Sequence, residues 1–131
     1  MRNPLQALAR LALVLVLAAG GTGCVAAAAG AGAGIYLTSR GASGQVNGDV
    51  ATLAARTRAV FGEMGIAMSG TETDDGGDEV EIRGTKDGME ITVEIERKSA
   101  TAAEVAVSAK KSEVEWDKDY ARSILSRISG T

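Results

Sequence analysis

From residue 79 onward the chain alternates. Val80, Ile82 and Gly84 interleave with Glu79, Glu81 and Arg83. Met89, Ile91, Val93 and Ile95 interleave with Glu90, Thr92, Glu94 and Glu96, and Ala103, Val105, Val107 and Ala109 with Glu104, Ala106 and Ser108. Side chains on a strand point to opposite faces with a period of two. Such runs therefore predict an antiparallel meander with one dry face and one wet face, and whatever else the chain forms must cover the dry one. Lys86-Asp87-Gly88 carries the Asp-Gly signal of a hairpin turn. One strand earlier, Ile66, Met68 and Gly70 alternate with Ala67, Ser69 and Thr71, and Asp74-Asp75-Gly76-Gly77-Asp78 breaks the pattern as a loop. Gly44–Gly48 reads as a short, weakly signalled strand.

Two segments have helical period instead. Asp49 is a good N-cap, and Val50, Leu53, Ala54, Thr57, Val60, Phe61 and Met64 form one apolar stripe that Gly65 ends. A final helix starts near Asp117, with Tyr120 or Ala121, Ile124, Leu125 and Ile128 as its stripe and Gly130 after it. The order is β-α-β-β-β-β-α. The expected fold is α+β, a two-layer sandwich in which two helices cover one face of an antiparallel sheet of four to five strands. Residues 42–131 form this domain. The chain has one Phe and one Trp, so the core must come from Val, Ile, Leu, Met and Ala. Trp116, just before the last helix, is expected as a lid on that core rather than as a platform for a ligand.

The apolar content of the first 37 residues belongs to something else. Arg2 and Arg10 precede Leu11–Ala19, a short apolar run, and Gly20-Gly21-Thr22-Gly23 leads to Cys24, the single cysteine. This reads as a signal peptide over residues 1–23. Nine apolar residues of helix reach only about 14 Å, too short for the roughly 30 Å hydrocarbon core of a bilayer. The small residues before Cys24 resemble the bacterial lipoprotein signal, which implies a diacylglyceryl group on the thiol, cleavage before it and acylation of the new amino terminus. Gly21 departs from that pattern, which usually has an aliphatic residue there; Gly23 fits it. Two other readings stay open. Cleavage near Ala26–Ala29 would release a soluble protein, and an uncleaved membrane helix could pack through Gly30 and Gly34. Residues 24–41 are read as the lipidated cysteine and an Ala/Gly-rich tether, with Ile35-Tyr36-Leu37 at the membrane surface, where Tyr is at home.

Charge and residue types narrow the function classes. The formal net charge is -3, and no basic stripe is visible, so no nucleic-acid partner is expected. The chain has no His, which removes Ser-His and Cys-His dyads and imidazole metal ligands. Asp74, Asp75, Asp78 and Glu79 lack the ligand spacing of a calcium loop and read as a solvated hairpin loop. Ser108 and Lys110 lie two apart on a strand, a placement common without catalysis. No catalytic residue, cofactor or metal ligand is expected. Glu79, Glu81, Glu90, Glu94 and Glu96 make the wet face acidic, with Arg83, Arg97 and Lys98 as candidate counter-charges.

Taken together, Cys24–Tyr36, the helix after the first strand, the strands around an Asp-Gly turn and the closing helix with Asp117, Ala121, Ile124, Leu125 and Ile128 resemble a family of small bacterial lipoproteins of unknown function. The resemblance covers about residues 20–129 and implies location and architecture, not chemistry. It implies a membrane anchor through Cys24 in the cell envelope, facing the periplasm, with Val25 pointing to the outer rather than the inner membrane. The expected role is a non-enzymatic module that binds an envelope protein partner or supports an assembly. The alternative is a module that holds a small apolar ligand or lipid between helix and sheet. The oligomeric state is not fixed by the sequence.

Overall fold

The structure, a computed structural model, describes residues 34–130. Six strands form one antiparallel sheet in the order β1-β2-β6-β5-β4-β3. They are β1 (Tyr36–Leu37), β2 (Gly41–Asn47), β3 (Ala67–Thr73), β4 (Glu79–Lys86), β5 (Met89–Arg97) and β6 (Ala102–Lys110). Helix α1 (Val50–Met64) crosses from β2 to β3, and α2 (Lys118–Ser129) follows β6. The class is α+β with both helices on one face, as the alternation requires. The strand count is higher than expected because β1 pairs with β2, Tyr36 opposite Ser43 and Leu37 opposite Ala42. Ile35 packs against the core, so the folded part begins within the stretch read as tether.

Register explains the two faces. Val46, Ala103 and Arg97 stand opposite one another in β2, β6 and β5, as do Ala42, Val107, Val93 and Ile82 from β2 to β4. Val80, Ile82, Ile91, Val93, Ile95, Val105, Val107 and Ala109 are buried. Helix α1 brings Leu53, Val60 and Phe61 to them, and α2 brings Ala121, Ile124, Leu125 and Ile128. The β4–β5 turn has positive φ at both Asp87 (53°) and Gly88 (78°), the two-residue geometry whose twist suits a hairpin. One expectation fails in β3. A register shift between Met68 and Gly70 puts Gly70 opposite Arg83 and Thr71 opposite Ile82, so Gly70 leaves the inner face that simple alternation gives it. A bulge inserts one residue and flips the faces beyond it.

The helix ends are tied as the sequence suggests. The Asp49 carboxylate accepts from the Thr52 amide at 2.7 Å, which holds its pKa below the ordinary value of 3.8. Gly65 takes the left-handed conformation at φ 69° and donates to the Gly62 and Phe61 carbonyls. No basic residue lies in the last turn of α1. Lys86, from β4, supplies that charge: its Nζ donates to the Met64 carbonyl at 2.6 Å, where a cation suits the negative helix end. Arg56 donates to the Ile128 carbonyl at 3.0 Å and so ties α1 to the end of α2.

Gly84 shows how closely α1 sits on the sheet. A Cβ there would lie 2.6 Å from Ile66 Cγ2, 2.8 Å from Phe61 Cε2 and 2.9 Å from the Ala67 carbonyl oxygen. The missing side chain is the seat of the Phe61 ring, which is fully buried. Gly84→Ala is therefore expected to destabilise the domain by about 1–3 kcal/mol through overpacking. Urea unfolding checks this; an unchanged midpoint would show that Phe61 does not rest there.

Candidate functional site

The outer face of the sheet carries no helix. Cross-strand partners share a face, so the register sorts its side chains into ranks. Glu72, Glu81 and Glu94 stand opposite one another across β3, β4 and β5. Glu79, Glu96 and Glu104 do the same across β4, β5 and β6. Neighbouring strands lie about 4.8 Å apart, and like charges directly opposite cost stability. Of the expected counter-charges, Arg83 and Lys98 are in place. Arg83 pairs with Glu72 at 2.9 Å and Glu81 at 3.3 Å, and Lys98 with Glu96 at 3.1 Å. The Glu96 hydrogen bond raises the Lys98 pKa. Arg97 pairs with Asp78 at 3.4 Å, off the two ranks. Glu104 accepts from the hydroxyls of Ser43 and Tyr36, each at 3.3 Å.

Two adjoining concavities of about 270 and 260 Å³ lie on this face and share Arg40, Thr92, Glu94 and Ser108. They make one trough. Its floor is small because Thr92, Ala106 and Ser108 stand where the neighbouring ranks have longer side chains. One wall is built by the chain after β6. Lys111 donates to the Glu115 carbonyl at 2.9 Å, closing a turn. Trp116 then bridges back to Lys110, and Asp117 donates to the Ala109 carbonyl at 2.8 Å. Pairing with Lys110 places Trp116 on the outer face. The Arg40 guanidinium carbon lies 5.4 Å from the Trp116 ring centroid and Lys110 Nζ lies 5.9 Å from it, both within cation–π range. The opposite wall is Glu81, Glu90 and Glu94. Trp116 is half-buried and stands outside the apolar cluster, which corrects its expected role as a core lid.

The trough thus sets cations and an indole against carboxylates, over a floor with two hydroxyls. Such an arrangement can bind a polar group of mixed charge. Lys110 Nζ bonds Glu113 at 3.2 Å, and among the described residues no hydrogen bond links it to Ser108. Ser108 and Lys110 do share the outer face, as their spacing predicts. In the acidic loop, the Asp74 carboxylate accepts from the Glu79 amide at 3.2 Å and Asp78 faces Arg97. Among the described residues no three of His, Cys, Asp and Glu come together as metal ligands, and no helix is long and apolar enough to cross a membrane. Cys24, the signal segment and most of the tether lie outside the described residues. Arg40 was missed in the sequence because only the β1–β2 turn brings it over the sheet.

The chain matches no protein-family model and no curated protein sequence.

Trp116 is the single tryptophan, so its fluorescence reports this wall. In the native protein it is expected to be readily quenched by acrylamide, and Arg40→Ala should increase the quenching. Strong protection in the native state, lost only on unfolding, would return Trp116 to the core.

Proposed function

We propose that this chain is an exported lipoprotein of the bacterial cell envelope. Cys24 anchors it, and the open face of its sheet binds an envelope protein partner without catalysis. The observation that carries this reading is the division of labour in the sheet. Across β2, β6, β5 and β4 one face is committed to the helices. The other presents a trough whose charged walls are paired with each other only in part. A fitting partner segment brings an acceptor towards Arg40 and a basic group towards Glu90 and Glu94. Charge complementarity of this kind selects partners more than it strengthens binding. The anchor adds to it, because a protein held at a membrane meets other envelope proteins at high local concentration.

The apolar-ligand alternative needs space between helix and sheet. Phe61, Ile66 and the missing Gly84 side chain fill the tightest part of that seam, while Met64 and Met89 pack against the core. That packing favours the partner-binding reading.

Intact-mass measurement of protein extracted from membranes tests the anchor. The wild type is expected to lack residues 1–23 and carry acyl mass, and Cys24→Ser to carry none. Cross-linked partners recovered with the wild type should be lost on Glu94→Arg. A wild type that keeps residues 1–23 without acyl mass would refute the lipoprotein reading; identical partner recovery from Glu94→Arg would refute the role of the trough.

A further inference from the structure

Exposed large apolar side chains are few on this domain: Tyr36 at 55%, Leu37 at 49%, Met68 at 46% and Val114 at 91%. Two of them are consecutive and make up the whole of β1. Ile35, next to them, turns inward and packs on the core, so the exposure of Tyr36 and Leu37 is not fraying of a loose end. Strand alternation sends them to opposite sides of the edge. Tyr36 stands opposite Ser43 on the outer face and Leu37 opposite Ala42 on the inner side. The rim of the sheet therefore presents an apolar group on each side of a backbone edge. The β1–β2 turn follows this rim and carries exposed Arg40 toward the trough. Glu104, the nearby anion, already accepts from the Tyr36 and Ser43 hydroxyls.

The length of chain before β1 says what this rim meets. Gly34 lies ten residues after Cys24, and ten residues reach about 35 Å at full extension. A short tether of that kind keeps the rim at a millimolar effective concentration above the surface that holds the acyl chains, so weak contact suffices. We infer that the β1 rim, through Tyr36 and Leu37, docks on the phospholipid surface in which the acylated Cys24 is embedded. This rests on the lipoprotein reading proposed above. Tyr is suited to the headgroup level and Leu to the upper acyl region. Docking by the edge stands the sheet upright, leaves the trough open to the side and turns β3, the opposite edge, away from the bilayer. Met68, on β3, has similar exposure to Leu37 and serves as the internal comparison.

The test uses the processed, membrane-extracted protein with Trp116→Phe, in vesicles of phosphatidylethanolamine and phosphatidylglycerol brominated near the headgroup. One form also carries Leu37→Trp and another Met68→Trp. With acyl mass confirmed on both, quenching of the tryptophan at 37 should be several-fold stronger than at 68. Equal and weak quenching with the acyl mass present overturns the docked rim and leaves the anchor standing. Absence of the acyl mass overturns the lipoprotein reading and this inference with it.

Discussion

The seam between the two helices and the inner face of the sheet decides the rest of this structure. Phe61 and Leu53 from α1, and Ile124, Leu125 and Ile128 from α2, are fully buried against Ile82, Ile91, Val93, Ile95 and Val105. A domain of this size with one Phe in its core has little apolar area to spare. Both helices must therefore serve the same face. The close approach at Gly84 shows the seam filled to van der Waals contact, which gives such a small core its definition. The helix caps and the reach of Lys86 to the Met64 carbonyl fix where each helix begins and ends on that surface.

Committing one face leaves the other with a different physical problem. Two ranks of glutamates face one another across the strands, a cost the fold offsets locally. Arg83 is shared between two of them, Lys98 serves Glu96, and hydroxyls serve Glu104. Exposed ion pairs of this type contribute only about 0–1 kcal/mol each, so they offset repulsion rather than add much stability. The trough opens where the long side chains give way to Thr92, Ala106 and Ser108, beside the wall formed by Arg40, Lys110 and Trp116. The proposed anchor through Cys24 and the proposed partner surface thus use different parts of the molecule. The trough lies on the open face and takes one wall from the β1–β2 turn through Arg40.

Much of this was legible in the residues themselves. The alternation over residues 79–109 fixed which side chains are inside, and Asp49, Gly65 and Asp117 marked helix ends that the hydrogen bonds confirm. Three features were not legible. β1 is two residues long, too short for a period, and its side chains gain little burial. The bulge in β3 lies among Met, Ser, Gly and Thr, where no strong apolar contrast reveals a flipped face. Trp116 was misplaced because its side depends on the turn after Lys110, not on helical or strand period. The trough shares that cause: it is a product of register, which brings Thr92 beside Ser108 and Glu94 beside Ala106, and no single segment announces it.

The central claim is that the sheet divides into a face that folds the protein and a face free for recognition. A paired scan along β5 by urea unfolding tests it most directly. Ile91→Ala and Ile95→Ala are each predicted to cost about 2–5 kcal/mol, whereas Thr92→Ala and Glu94→Ala, between them, should stay within about 0.5 kcal/mol of the wild type. Comparable losses at all four positions would contradict the account, because the outer face would then belong to the core.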